Sequence, residues 1–385
     1  MNEITRQEGL YLRQTLFDKS RRIVVKVGSA VLADEQGLAL DVIKNIGKEI
    51  SFLHDSGREV IVVSSGAVAA GKTRVQFANS SGDLGIKEKQ ALAAIGQSTL
   101  MQTYDQVFSS FNQTIAQILL THQDLAKRQR YLNVRNTLFT LFKFGVIPII
   151  NENDTVSVEE LRLGDNDMLG AHICNLVEAD MFICLTDVVG MYTGNPITDP
   201  DAKPIYTVDE ITPEIEAMAV NVKSSLGTGG MQSKLKAAKM VSSGGGSSFI
   251  GPGREPEILR KLFSGEMIGT FFLPHKERIS GRKRWIASVL KPKGNLVLDE
   301  GACNALVIKK KSLLPSGIEQ VEGSFGVGDA VHCRNRQGRL IAVGLINYSS
   351  SDINKIRGYH SREIENILGY RDSDEVVHRD NLVLL

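Results

Sequence analysis

Two lysines on glycine-bearing turns and several Asn/Asp clusters at strand ends are the residues of this chain that could do chemistry. Lys26 stands in the run Val25 to Ser29 (VKVGS), and Lys234 closes the run Gly227 to Lys234 (GTGGMQSK). An ammonium beside exposed backbone N–H groups is a resting place for an anion. Lys234 falls in the first turn of the helix it opens, where a cation opposes the macrodipole unless an anion compensates it. The polar clusters are Asn151 to Asp154, Gly164 to Asp167, and Thr186 with Asp187. They read either as a binding site or as Asx-rich turns and helix caps. No Cys–His, Ser–His or metal-ligand cluster accompanies them, so a covalent nucleophile has little support. Phosphoryl transfer suits the set better. It needs positioning and positive charge around a metaphosphate-like transition state, with carboxylates to organise the cations.

These residues need a scaffold that carries them to one edge. The stretch Val146 to Asp187 reads as strand, acidic loop, helix, strand, a βαβ unit that implies a parallel sheet. Ligands of such sheets sit beyond the carboxyl ends of the strands, where the clusters fall. Further strands are expected at Arg22 to Val27, Glu59 to Val63, Ile115 to Leu120, Ser247 to Ile250 and Met267 to Leu273. Helices are expected after an N-cap at Asp41, at Ile86 to Met101, Arg128 to Phe142 and Met231 to Val241, and the segment around Met168, Leu169, Ile173, Leu176 and Val177 is expected to be amphipathic. The small residues Ser64 to Gly71 follow a strand and would let a ligand approach the backbone, or would serve tight packing. They form neither a Walker A loop nor a dinucleotide fingerprint.

At 385 residues the chain suggests two domains, and 42% hydrophobic with 23% charged residues is the balance of a globular protein. A net charge of +1 argues against nucleic acid or an anionic membrane as the main partner. Four scattered cysteines read as reduced thiols in a cytoplasmic protein. Met1 to Arg22 lacks the apolar stretch of a signal peptide and is expected to be a short helical lead-in. Composition shifts at Gly281 to Trp285 and Lys291 to Gly294, after which short β-type runs alternate with glycine turns, a small β-rich domain of barrel type. The expected division is an extension over 1–20, a main domain over 21–280, a linker over 281–293, the β-rich domain over 294–372 and a tail over 373–385.

The series VKVGS, VVSSGAVAAG (Val62 to Gly71), INENDTV (Ile150 to Val156), GDND (Gly164 to Asp167), LTD (Leu185 to Asp187) and GTGGMQSK closely resembles the amino acid kinase family, in its glutamate-phosphorylating branch. The segment from about Gly294 to Arg371 is similar to a PUA domain. The resemblance implies an α/β kinase domain, a three-layer αβα sandwich with a mainly parallel sheet, followed by a PUA-like barrel. It implies transfer of the γ-phosphoryl group of ATP to the γ-carboxylate of L-glutamate, the first step of proline biosynthesis. By the same resemblance Lys26 and Lys234 would flank the transferring group and Asp167 would hold their ammonium groups. Gly28, Ser29 and Gly66 would offer backbone N–H groups to phosphate oxygens. Ser65, Asp154 and Asn166 would bind glutamate. Thr186, Asp187 and the loop Thr228, Gly229, Gly230, Met231, Gln232, Ser233 and Lys234 would contact the nucleotide. Mg²⁺ would ride on ATP and need few protein ligands. Proline as feedback inhibitor, a homo-oligomer (dimer or tetramer) and glutamyl phosphate reductase as partner are further implications. Ala30 and Asn195 depart from the family pattern, where a hydroxyl and an Asp are common. Two rival readings remain: an acyl-phosphate kinase for aspartate or acetylglutamate, and an RNA-binding protein that acts through the PUA-like domain.

Overall fold

The computed structural model describes residues 6–34, 37–75, 84–156, 166–194, 196, 198–219, 230–275, 286 and 290–385. The chain divides into two compact units, residues 1–278 and 279–385. Most of the linker expected over 281–293 lies outside the described residues.

The first unit is built on eight strands: β1 (Arg22–Val27), β2 (Glu59–Val63), β3 (Ile115–Leu120), β4 (Ile147–Glu152), β5 (Met181–Thr186), β6 (Thr207–Val208), β7 (Ser247–Pro252) and β8 (Thr270–Phe272). Their order is β6-β8-β7-β5-β1-β2-β4-β3, parallel throughout except for the β7–β8 pair. The described helices of eight or more residues are α1 (Arg6–Lys19), α2 (Leu40–Asp55), α3 (Ala67–Arg74), α4 (Ile86–Ser109), α5 (Arg128–Lys143), α6 (Asn166–Val177) and α7 (Met231–Ser243). Parallel strands covered on both faces read as near-continuous apolar runs, and RIVVKV and MFICLT do. Alternation then sorts the side chains. Ile23, Val25, Val27, Val60, Val62, Ile183 and Leu185 pack with Ile43, Ile46 and Ile50 of α2 and Leu100 and Tyr104 of α4. Lys26 and Cys184 belong to the other face, which α6 and α7 cover.

Several expectations need correction. Asp41 is not the cap of α2, which begins at Leu40 after Ala39 and has no side-chain cap bond. Helix α4 runs eight residues beyond Met101, to Ser109. The α6 segment is not amphipathic: every residue from Leu169 to Val177 is buried, because α5, α7 and the sheet enclose it. The helical lead-in, by contrast, is present as α1 and packs into the core of the first unit. Phe17 on α1 is fully buried, with its ring centroid 4.9 Å from Phe263 and 5.1 Å from Phe271. Arg13, also fully buried, donates to the carbonyls of Glu266 and Ile268 at 3.4 and 3.2 Å, and burial pulls its pKa down to about 10. The glycine-rich stretch Gly244 to Gly246 has a structural use. The N–H groups of these three residues fold back onto carbonyls of Met240, Val241 and Ser242, and Gly245 takes φ +82°, so α7 ends and β7 begins within three residues.

The second unit carries β9 (Gly294–Leu298), β10 (Ile318–Gly323), β11 (Ala330–Asn335), β12 (Leu340–Leu345) and β13 (Leu382–Leu384), with α8 (Glu300–Val307) and α9 (Ser350–Ile356). The sheet order is β10-β9-β11-β12-β13, antiparallel except for β9–β11. Leu296, Leu298, Val331, Tyr348 and Ile353 fill its core. The residues after 372, expected as a tail, supply β13 and bury Val376 and Val377 in that core. No helix among the described residues is long and apolar enough to cross a membrane.

Candidate active site

The carboxyl ends of β1, β2, β4 and β5 meet the amino ends of α6 and α7 along one rim of the first unit. Lys26 is the fifth residue of β1, a central strand between β5 and β2, and therefore not an edge lysine facing water. Only 5% of it is exposed. Its ammonium meets Asp167 Oδ1. From the other side, Lys234 Nζ donates to Asp167 Oδ2 at 3.1 Å, and Ser233 Oγ donates to the same oxygen at 2.9 Å. Asp167 has no exposed surface. Burial by itself would raise its pKa, but the ammonium groups of Lys26 and Lys234 outweigh that and hold the carboxyl down at about 2. The cation that opposes the α7 macrodipole thus has its compensating anion in the first turn of α6, where a negative charge is favoured.

One residue before Asp167 a second cluster begins. Asn166 Nδ2 lies 2.7 Å from the Ser64 carbonyl, 2.9 Å from Ser65 Oγ and 3.1 Å from Asn151 Oδ1. Asn151 Nδ2 donates in turn to Gln97 Oε1 at 2.9 Å, and Ser64 Oγ shares a hydrogen bond with the buried Tyr104 hydroxyl. Asn166 Oδ1 is buried with no hydrogen-bond partner among the described residues. Because Asn166 and Asp167 are consecutive, a site rich in amides and hydroxyls abuts the pair of ammonium groups.

The loop that carries Ser64 and Ser65 is fixed by a close helix crossing. A Cβ on Gly96 of α4 would lie 1.8 Å from the Ala67 carbonyl oxygen, and one on Gly71 of α3 would lie 2.0 Å from that of Leu92. Gly66 sits in the left-handed region at φ +95° as the first helix boundary. The packing reading of the small-residue run is realised at Gly71, and Gly66 lies at the rim.

The remaining expected residues distribute as follows. Ser29 opens a four-residue helical turn on the rim. Gly28 does not have a spare N–H, as it donates to the Leu185 carbonyl at 2.9 Å and so completes the sheet ladder. Thr186 is buried at the end of β5, and its hydroxyl donates to Asp187 Oδ1 at 2.9 Å. Asp154 is half-buried in the turn after β4, three residues beyond Asn151. Gly230 precedes α7, Met231 is buried and Gln232 is exposed. Thr228, Gly229, Gly164, Asp165 and Asn195 lie outside the described residues. Gln97, Tyr104 and Cys184 join the site without having been singled out. Asn151 and Ser64 stood within runs already marked in the sequence, whereas these three carry no local signal.

The profile of the amino acid kinase family matches residues 21–251. The chain belongs to the amino acid kinase family. A PUA domain profile matches residues 294–368. The chain is 59% identical to a glutamate 5-kinase of Desulfotalea psychrophila, over 98% of its own length and 100% of that protein's. It is 48% identical to the glutamate 5-kinases of Syntrophotalea carbinolica and Geobacter sulfurreducens, over 97% of its length and 100% of theirs. Among solved structures, a Giardia lamblia carbamate kinase bound to AMP-PNP is similar with a TM-score of 0.48 and 17% identity, covering 66% of this chain and 99% of that one. Within the family frame the whole Lys26–Asp167–Lys234 group falls inside the matched segment.

Proposed function

We propose that this chain transfers the γ-phosphoryl group of ATP to the γ-carboxylate of L-glutamate, giving ADP and L-glutamyl 5-phosphate. One observation carries the reading: two buried ammonium groups share one buried carboxylate at the carboxyl ends of a parallel sheet. Positive charge held in a dry site acts strongly on charge that develops in a transition state, and it costs no reorganisation when the reaction occurs. A carboxylate oxygen of glutamate would attack the γ-phosphorus while the bond to the ADP oxygen breaks, with Lys26 and Lys234 on opposite sides of the moving group. Asp167 fixes their separation. No general base is needed, since a glutamate side chain with a pKa of about 4.3 is ionised at neutral pH.

The orphan acceptor Asn166 Oδ1 suits an N–H donor, which the α-ammonium of glutamate would supply beside Ser65, with Asp154 reaching it from the turn after β4. Ser29, Gly66, Thr186, Asp187 and the stretch that ends in Gly230 to Lys234 would face the nucleotide. Mg²⁺ fits this donor set as a companion of ATP, held mostly by phosphate oxygens, because Asp167 is already engaged by two lysines. When bound, it would supply charge neutralisation on those oxygens. The high identity to glutamate 5-kinases over nearly the full chain supports glutamate over aspartate or acetylglutamate.

Proline feedback, a dimer or tetramer, transfer of the labile product to glutamyl phosphate reductase and a cytoplasmic location belong to the same reading and rest on the family resemblance. RNA binding through the PUA-like unit is not favoured as the chain's main activity, since the buried kinase group is intact. The test is a hydroxylamine trap with Mg-ATP and a panel of glutamate, aspartate and acetylglutamate. Hydroxamate from glutamate alone supports the reading, whereas turnover of another panel member without glutamate turnover contradicts it.

A further inference from the structure

Asp167 has a neighbour that the phosphoryl-transfer reading does not use. Cys184 Sγ lies 3.4 Å from Asp167 Oδ1, as a donor to the oxygen that also meets Lys26. The placement follows from sheet register. Across the parallel strands, Val63, Lys26, Cys184 and Ile250 form one row, so the thiol stands immediately beside the lysine, on the face covered by α6 and α7. Cys184 is fully buried in a strand that is otherwise apolar until Thr186. Ser233 Oγ does for Oδ2 what the thiol does for Oδ1, donating at 2.9 Å beside Lys234. Each carboxylate oxygen therefore receives at least one ammonium and one neutral donor.

This arrangement has a mechanical consequence. A carboxylate held by two charges alone can rotate about its Cβ–Cγ bond and shift both lysines together. Neutral donors added to the charges on both oxygens define its plane. We propose that Cys184 is a positioning residue: its S–H fixes the rotation of the Asp167 carboxylate and thereby the site at which Lys26 presents its ammonium to the transferring phosphoryl group. The proposal rests on the phosphotransferase reading above and extends it to a residue that acts through Asp167. The thiol remains protonated for this role, because burial first and the adjacent Asp167 second push its pKa up to about 12. A buried cysteine that only fills space would serve equally well as alanine or valine, apart from packing.

The test compares Cys184→Ala, Cys184→Val and Cys184→Ser with wild type in the glutamate-dependent hydroxamate reaction, with kcat and both KM values resolved. An S–H is a weak donor, so its removal should cost roughly three- to tenfold in kcat. That loss is expected in both Cys184→Ala and Cys184→Val, with KM for glutamate and for ATP within about twofold of wild type. Serine restores a donor and should bring kcat back to within about twofold. Unchanged kcat in the alanine and valine variants overturns the proposal, and so does a serine variant as impaired as alanine, which would point to packing. If alanine does not fold, the near-isosteric valine carries the comparison. Absence of hydroxamate from the wild type would instead contradict the phosphotransferase reading itself.

Discussion

Lys234 Nζ donates to Asp167 Oδ2 at 3.1 Å, and the two side chains are respectively 6% and 1% exposed. The bond ties the first turn of α7 to the first turn of α6 across a sequence separation of 67 residues. The same carboxylate holds Lys26 from β1, so three elements converge on one buried anion.

Lys234→Ala removes one of the two ammonium groups proposed to face the transferring phosphoryl. By comparison with the removal of single transition-state donors, kcat should fall on the order of 10²–10³. The fold should survive, because the remaining Lys26–Asp167 pair is charge-balanced. Steady-state kinetics with circular dichroism checks this, and near-wild-type turnover would strip Lys234 of its role.

Asp167→Asn leaves two buried ammonium groups facing each other without their shared anion. Breaking a buried ion pair by removing one partner costs about 3–5 kcal/mol, and urea unfolding at neutral pH should show a loss of that order. The pH dependence has a definite sign. Burial opposes ionisation of Asp167, but Lys26 and Lys234 prevail and lower its pKa to about 2. A lowered folded-state pKa contributes stability that is complete above the unfolded value of about 3.9 and is lost as pH falls through the folded value. The stability difference between wild type and Asp167→Asn should therefore shrink by about 2 kcal/mol between pH 6 and pH 2. A difference that stays constant over that range would contradict the assignment.

Gly96→Ala places a Cβ 1.8 Å from the Ala67 carbonyl oxygen and 2.3 Å from the Gly71 nitrogen, both backbone atoms. The α3–α4 crossing must open, at a cost of about 3 kcal/mol, the upper end for overpacking. Ser65 and Gly66 ride on the start of α3, so KM for glutamate should rise as well. Wild-type stability and KM would show that the crossing does not set the loop.

Phe17→Ala tests whether α1 belongs to the kinase unit. Its ring is fully buried between Phe263 and Phe271, and such truncations cost about 3–5 kcal/mol. A change below about 1 kcal/mol in urea unfolding would make α1 dispensable.

Much of this arrangement can be read from the chain alone, for identifiable reasons. Runs such as RIVVKV and EVIVV lie at the centre of a sheet covered on both faces, so burial makes them continuously apolar and sets them off from their surroundings. Lys26, Asp167 and Lys234 stand out because charge beside a buried strand or against a helix dipole demands an explanation. What stays hidden depends on distant partners. Gln97 reaches Asn151 across 54 residues and Tyr104 reaches Ser64 across 40, and nothing local distinguishes them from other helical residues. Cys184 looks like one more apolar strand position until the register sets it beside Lys26. The all-round burial of α6 escapes periodicity for a similar reason, since α5 and α7 that cover it are separated from it in sequence. Residues 373–385 look like a tail because β13 is only three residues long and gains its meaning from β12.

The central claim is that the buried group of Lys26, Asp167 and Lys234 transfers a phosphoryl group to the side-chain carboxylate of glutamate. The most direct measurement is glutamyl hydroxamate formed with Mg-ATP and hydroxylamine, run in parallel for wild type and a folded Lys26→Ala variant. Glutamate-dependent hydroxamate from the wild type, reduced on the order of 10²-fold or more in the variant, is the expected result. Equal hydroxamate from both proteins, or none from a folded wild type, would contradict it.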